Sequence, residues 1–211
     1  LAGFSMILTI VFGVGSGVLM AVKKDRLLDH VLGTFSTVAL SLPGFWIAIV
    51  LIFIFAEQWK ILPSSGISDG SGFILPAITL ALPSIGVCAR LTRSAILDEI
   101  GRQYMTVADA KGMSRRRAVI RHAFGNALIP IITYLGNHMA GIIGGASIVE
   151  TIFAIPGIGS YAIAGVQSKD YYVVQAYVLF SGCIYVLTNI LIDLIYIALD
   201  PKIRAGEAVE S

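Results

Sequence analysis

One long polar segment interrupts an otherwise apolar chain. Residues 90–125 read RLTRSAILDEIGRQYMTVADAKGMSRRRAVIRHAFG, with eight Lys and Arg against three Asp and Glu. Apolar runs long enough to span a membrane lie on both sides of it. A basic segment between two spans is typical of the cytoplasmic face of a membrane protein. This one is long enough to form a docking surface, so the pattern predicts a membrane protein driven from inside the cell by another subunit.

The composition supports a membrane protein and excludes several other classes. Hydrophobic residues make up 56% of the 211 residues and charged residues only 13%, whereas a soluble domain carries about 25% charged residues. Two Cys cannot build a disulfide framework, and no Cys and His have metal-ligand spacing. The chain starts inside an apolar run without Met, so we expect the single membrane domain, residues 1–211, to be N-terminally incomplete.

Five apolar runs predict an all-α fold, a polytopic bundle of transmembrane helices. A spanning helix needs about 20 mostly apolar residues. We expect the third span to be broken by Pro76 and Pro83. The five predicted spans are residues 1–22, 31–56, 73–89, 126–149 and 173–199.

The distribution of basic residues predicts the orientation of these spans. Thirteen of the 15 Lys and Arg follow the first span, fill residues 90–121 or follow the last span. Only Lys60 and Lys169 fall on the other side. Since basic loops are retained in the cytoplasm, we expect a multi-pass membrane protein with a cytoplasmic C-terminus.

The segment between residues 150 and 172 is predicted to be an outer loop. It is apolar, but it contains Pro156, Gly157 and Gly159, so it cannot form a regular span. A half-embedded loop packed against protein fits this composition. Glu150, where the fourth span meets the loop, is expected to stabilise the loop or to face an external partner.

The polar segment itself is expected to form a helix–turn–helix over residues 94–125. Gly112 is typical of a helix C-terminus, and Ser114 is a good N-cap for a second helix. Arg115 and Arg116 then lie in a first helical turn, where positive charge opposes the helix dipole. Acidic lipid headgroups or carboxylates of a partner would compensate that charge; a solvated basic face is the alternative.

Three motifs give the chain a family resemblance. They are QYMTVADAKG at residues 103–112, RHAFGNALIP at residues 121–130 and ETIFAIPGIG at residues 150–159. Together they resemble the permease subunits of ABC importers, in the dipeptide, oligopeptide and nickel group. The resemblance implies an ABC importer permease fold in which residues 94–125 form the cytoplasmic coupling segment.

The resemblance also implies a location in the plasma (inner) membrane of a prokaryote, and an assembly. A second homologous permease completes the pathway, two ATPase subunits bind ATP and Mg, an extracytoplasmic binding protein delivers solute, and lipid surrounds the complex. This chain has no phosphate-binding Gly-rich loop, so it is expected to be a transport subunit, not an enzyme, with no cofactor of its own and no nucleic acid partner. The residues expected to couple it to the ATPases are Tyr104, Met105, Thr106, Val107, Ala108, Ala110, Lys111, Gly112, Arg115 and Arg116.

The transported solute is left open by the sequence. Small peptides are expected, with nickel or a metal chelate as the alternative. His138 is a weak nickel candidate, because a single His is not a metal site; no other metal ligand is predicted. Polar groups at membrane depth mark pathways or structural contacts, and here they are Asn137, His138, Asn189 and Asp193, the last expected to pair with a basic residue of the bundle.

Two other classes of protein remain as remote alternatives. A self-contained channel or secondary transporter would not need a large basic docking segment, and no inverted repeat is visible. A membrane-embedded enzyme would need a nucleophile motif, paired membrane carboxylates or a zinc motif, and none appears. Co-purification of an ATPase would separate these classes.

Overall fold

The computed structural model describes residues 1–67, 70–103, 105, 123–144 and 146–199. These residues form helices and turns, and no strand occurs among them. The predicted all-α class is therefore confirmed. In chain order the helices are α1 Ala2–Val22, α2 Leu27–Ser41, α3 Gly44–Gln58, α4 Ile74–Ile100 (preceded by the 3-10 turn Gly70–Phe73), α5 Phe124–Ile143, α6 Ser147–Ile152, α7 Ile158–Gln167 and α8 Tyr171–Leu199.

Helix α4 is the centre of the bundle, because α1, α2, α3 and α5 all pack against it. Glycines let two of these neighbours come close. A Cβ on Gly17 of α1 would lie 2.6 Å from the carbonyl oxygen of Ala89, and one on Gly86 of α4 would lie 2.5 Å from that of Ser36 in α2. Such close approach of backbones is common where small residues face each other in membrane bundles.

The prediction of one continuous helix for the second span, residues 31–56, is wrong. It is replaced by α2 and α3, which are bent by 102° at the break between Ser41 and Gly44. Leu42 and Pro43 both adopt extended backbone angles there. Proline disfavours a helical conformation in the residue before it and cannot donate a backbone hydrogen bond, so Pro43 accounts for the break.

The third predicted span is also corrected, because α4 is not broken. Pro76 lies in the first turn, where its missing N–H is not needed, and Pro83 lies inside the helix. The helix continues past residue 89 through the expected start of the coupling segment at residue 94 and ends at Ile100. Its 27 residues give a length of about 40 Å, so one rod joins the bundle interior to the polar segment.

The other spans agree with the structure to different degrees. Helices α1 and α8 confirm the first and fifth, but the fourth ends at Ile143 instead of 149, and α6 follows it after a break. Within the part of the chain that the structure describes, three helices are long and apolar enough to cross a membrane, or four if the bent α2–α3 pair counts as one. Helix α5 carries Asn126, Asn137 and His138 and is not among them, so the predicted count of five is not reached.

Two apolar clusters fix the two ends of the bundle. Ala21, Ile96 and Ala123 meet where α1 and α4 end and α5 begins. Because Lys23, Lys24, Arg26, Arg93 and Arg102 belong to the same termini, this is called the basic end. Leu75, Val149 and Phe153 form the second cluster, at the opposite end of α4; Gly66 also donates its N–H to the Phe153 carbonyl, at 2.8 Å. This is called the loop end.

Candidate functional site

The candidate site is the frame that holds the two roots of the coupling segment at the basic end. One root is the C-terminus of α4, and the other is the start of α5. Ala123 and Ala127 of α5 are buried against Ile96 of α4 and Ala21 of α1. Three helices therefore converge at the two roots.

Glu99 joins the two roots by hydrogen bonds. Its Oε1 lies 2.8 Å from Nε of Arg102, and its Oε2 accepts a hydrogen bond from Nδ2 of Asn126 at 3.3 Å. Glu99 is buried, whereas the neighbouring Asp98 is exposed. A buried carboxylate is costly unless it is paired and hydrogen-bonded, and here one partner lies within the coupling segment and the other directly after it.

Most of the predicted coupling residues lie outside the described residues. These are Tyr104, Thr106, Val107, Ala108, Ala110, Lys111, Gly112, Arg115 and Arg116. Met105 is described: its N–H donates to the Arg102 carbonyl at 3.0 Å, and only 2% of it is exposed. The role of Met105 in coupling to the ATPases stays a prediction.

A bidentate ion pair fixes α2 against α4 at the same end. Arg93 donates from Nε to Oδ1 of Asp29 at 2.7 Å and from Nη2 to Oδ2 at 2.8 Å. The backbone N–H of Asp25 donates to the same carboxylate at 3.0 Å. Two parallel bonds between a guanidinium and a carboxylate set both distance and orientation, so this pair fixes the turn between α1 and α2 to the central helix.

A polar cluster cross-links α4 and α5 nearer the middle of the bundle. His138 Nδ1 lies 3.3 Å from Oγ of Ser84, and Tyr134 donates from its hydroxyl to the Ser84 carbonyl at 3.2 Å. The Tyr134 and His138 rings are stacked. The predicted polar residue His138 thus has a structural contact, while its Nε2 is buried and has no hydrogen-bond partner among the described residues. Asn137 beside it is half-buried.

The two polar residues predicted on α8 both lie on its exposed face. Asn189 and Asp193 are exposed, and Asp193 has no ion pair within the described part of the chain. The expected pairing of Asp193 with a basic residue of the bundle stays a prediction, because several Lys and Arg lie outside the described residues. Ile192 takes the buried position, packed against Gly136 of α5, and the next residue is turned away by about 100°.

At the loop end, Glu150 closes a compact turn. Its Oε2 accepts the backbone N–H of Ser160 at 2.7 Å, in the first turn of α7. Gly157 lies directly against the carboxylate, Gly159 is buried against Ser147, and Pro156 is exposed. The predicted outer loop is thus packed against the chain, and Glu150 is part of its frame.

No three His, Cys, Asp or Glu side chains converge in a metal-binding arrangement anywhere in the described ranges. The side chain of His138 instead contacts Ser84 and Tyr134, and neither serine nor tyrosine is one of those four residue types.

The family of the chain follows from comparison with known proteins. A family model described as "Binding-protein-dependent transport system inner membrane component" matches residues 13–205. The chain belongs to this family.

Relatives of this permease family member are named for the transport of peptides and glutathione. It is 39% identical over 212 residues to a probable peptide ABC transporter permease protein, y4tP, of Sinorhizobium fredii. It is 34% identical over 200 residues to the glutathione transport system permease protein GsiC of Escherichia coli. These alignments cover 97% and 95% of this chain, and they span 68% and 65% of the two relatives' lengths.

A solved permease shows the same fold. The MetNI methionine ABC transporter, in an inward-facing conformation, aligns with a TM-score of 0.75, covering 94% of this chain and 91% of that chain at 16% identity. This likeness confirms the ABC importer permease type of the fold.

Several residues of this permease's frame were not found by sequence reasoning. Asp29, Arg93, Ser84 and Glu99 were not predicted as site residues, although each makes a polar contact between helices. Their partners lie 27 to 64 positions away in sequence. The available signal was an ionisable residue within or beside an apolar run, which marks Asp29 and Arg93.

Proposed function

We propose that this chain forms half of the translocation pathway of an ATP-driven importer for small peptides. It would work with a second homologous permease, two ATPases and an extracytoplasmic binding protein. Family membership supports the class of protein. The names of the two relatives, which refer to peptide and glutathione transport, support the solute class.

The observation that carries the mechanism is the connection of α4 and α5 to the coupling segment. Glu99 bonds both Arg102, in the first part of that segment, and Asn126, which directly follows it. Helix α4 continues from this point through the bundle without a break. Movement of a docked segment by the ATPases would therefore displace both roots together, and a rigid helix would carry the displacement toward the pathway.

The proposed orientation places the basic end in the cytoplasm. The turn containing Lys23, Lys24 and Arg26 lies at the same end as Arg93, to which Asp29 binds. Lys60 follows α3, whose residues pack into the loop-end cluster. An asymmetry of basic residues between the two ends supports a cytoplasmic basic end, and with it a cytoplasmic C-terminus.

Gly112→Trp tests the docking role. We expect the complex purified through this chain to lose most of its ATPase, and peptide uptake to fall with it, because a bulky side chain would replace the predicted glycine turn. The matched control is Gly182→Trp in α8, where an added Cβ would have nothing within 4 Å. Normal ATPase recovery and uptake in Gly112→Trp would contradict the proposal.

No observation favours nickel as the solute, since neither relative described above is named for it. The same purified proteins allow the two alternatives, a self-contained channel and a membrane-embedded enzyme, to be tested by uptake and turnover measurements. Uptake by the permease pair without ATPases would support a channel, and turnover of a substrate by this chain alone would support an enzyme.

A further inference from the structure

A cavity at the basic end has the chemistry of an anion site. It has a volume of about 560 Å³ and lies between α2 and α4. Arg90, Arg93 and Ser94 line it from α4, and His30, Thr34 and Thr37 line it from α2. Residues three and four apart share one face of a helix, so two polar helix faces meet across the cavity.

The cavity keeps positive charge despite the ion pair within it. Asp29 also lines the cavity and neutralises one cation by binding Arg93. Arg90 is exposed and adds a second guanidinium. A guanidinium has five N–H donors, and the two bonds to Asp29 use two of those on Arg93. Both arginines can therefore donate hydrogen bonds to an anion.

An apolar stripe runs beside this cavity on the outside of α2. Leu27, Val31, Phe35 and Val38 are each more than half exposed, and they recur at the spacing of one helix face. Large exposed apolar stripes on a membrane helix suit contact with lipid chains. A charged cavity next to such a stripe matches a ligand with an anionic head and an apolar tail.

We propose that this cavity binds the phosphate headgroup of an anionic phospholipid of the inner leaflet, with its acyl chains along the α2 stripe. Basic pockets between transmembrane helices on the cytoplasmic side are suited to such headgroups. The bound lipid would sit against Arg93 and would buttress the junction of α2 and α4 beside the coupling segment. The proposal rests on the proposed cytoplasmic orientation of the basic end, but it does not depend on which solute is transported.

The test is native mass spectrometry of the assembled transporter, delipidated in detergent and exposed to phosphatidylglycerol or phosphatidylcholine. We expect preferential retention of phosphatidylglycerol. Arg90→Gln, which leaves the Asp29–Arg93 pair intact, is expected to weaken that retention about fivefold, the effect of one basic side chain near a lipid headgroup. Lys60→Gln, at the loop end, is the matched control and should retain the lipid as the wild type does.

Three results would overturn the proposal. They are equal retention of both lipids, unchanged retention in Arg90→Gln, and displacement of the lipid by millimolar inorganic phosphate, which would indicate a free-phosphate site. The whole assembly is used because another subunit could cover the cavity. In that case both lipids would be retained equally and weakly, and this result too would overturn the proposal. Peptide uptake by the wild type is measured separately, so failure of the lipid site is distinguishable from failure of the proposed function.

Discussion

Arg93 of α4 donates two parallel hydrogen bonds to Asp29 of α2, from Nε to Oδ1 at 2.7 Å and from Nη2 to Oδ2 at 2.8 Å. The carboxylate is buried, while about a third of the Arg93 side chain is exposed. The pair thus ties the entry of α2 to the rod that leads into the coupling segment.

Asp29→Asn is expected to destabilise the protein by about 1–3 kcal/mol, because it leaves a guanidinium without its carboxylate at a partly buried site. Thermal unfolding is monitored by the labelling of Cys88, which is buried in the folded protein. The assay uses a Cys183→Ser background, since Cys183 is exposed. The other subunits would carry no cysteine. An unchanged unfolding temperature in Asp29→Asn, with Lys60→Gln at the loop end as the control, would show that the pair contributes nothing.

Glu99→Ala should uncouple ATP hydrolysis from uptake. Arg102 and Asn126 would both lose a carboxylate partner, so the two roots of the coupling segment would no longer move as one. We expect the ATPases to remain bound while peptide uptake falls. A double-mutant cycle with Asn126→Ala on stability should give a coupling energy of about 0.5–3 kcal/mol.

Asp98→Ala is the control for this prediction, because Asp98 is the adjacent acidic residue on the same helix but is exposed. Equal peptide uptake in Glu99→Ala and Asp98→Ala would show that Glu99 is not needed to couple ATP hydrolysis to uptake.

Gly157→Ala is predicted to disrupt the loop end. The added Cβ would lie 2.5 Å from Oε2 of Glu150, which accepts the Ser160 N–H. Crowding of this kind typically costs about 1–3 kcal/mol. Limited proteolysis from the outer side should cut the loop faster in this variant. Gly44→Ala, whose Cβ would have nothing within 4 Å, should behave as the wild type; matching proteolysis rates in the two variants would refute this role of Glu150.

Gly17→Ala and Gly15→Ala form a matched pair within α1. A Cβ on Gly17 would lie 2.5 Å from Cβ of Thr92, whereas one on Gly15 meets nothing within 4 Å. We expect Gly17→Ala to lower stability by about 1–3 kcal/mol through overpacking. Gly15→Ala should be neutral or slightly stabilising, since Ala favours a helix by up to about 1 kcal/mol over Gly. The Cys88 labelling assay reads both, and equal unfolding temperatures would argue against close α1–α4 packing.

The apolar runs and basic residues were enough to predict the class of fold. Helices α1 and α8 appear close to their predicted bounds, because a long apolar run has no other way to satisfy its backbone in a membrane. The bend at Pro43 was missed although the signal was present: a residue before proline rarely remains helical. Pro83 was overvalued as a helix breaker, since packing against several neighbours holds α4 helical around it.

The polar frame could be predicted only in part. Glu150 was expected to stabilise the outer loop, and it does bind the Ser160 N–H. The contacts of Asp29 with Arg93 and of Glu99 with Asn126 depend on how the helices are rotated about their axes. Periodicity gives a helix its apolar face, but it does not say which residues of two helices 64 or 27 positions apart will meet.

Uptake of a labelled dipeptide into proteoliposomes tests the central claim most directly. The vesicles would hold this chain with its partner permease, and the binding protein would be added outside, with or without the two ATPases and internal ATP. We predict accumulation only when the ATPases and ATP are both present. Accumulation or equilibration of the dipeptide through the two permease subunits alone would contradict the account.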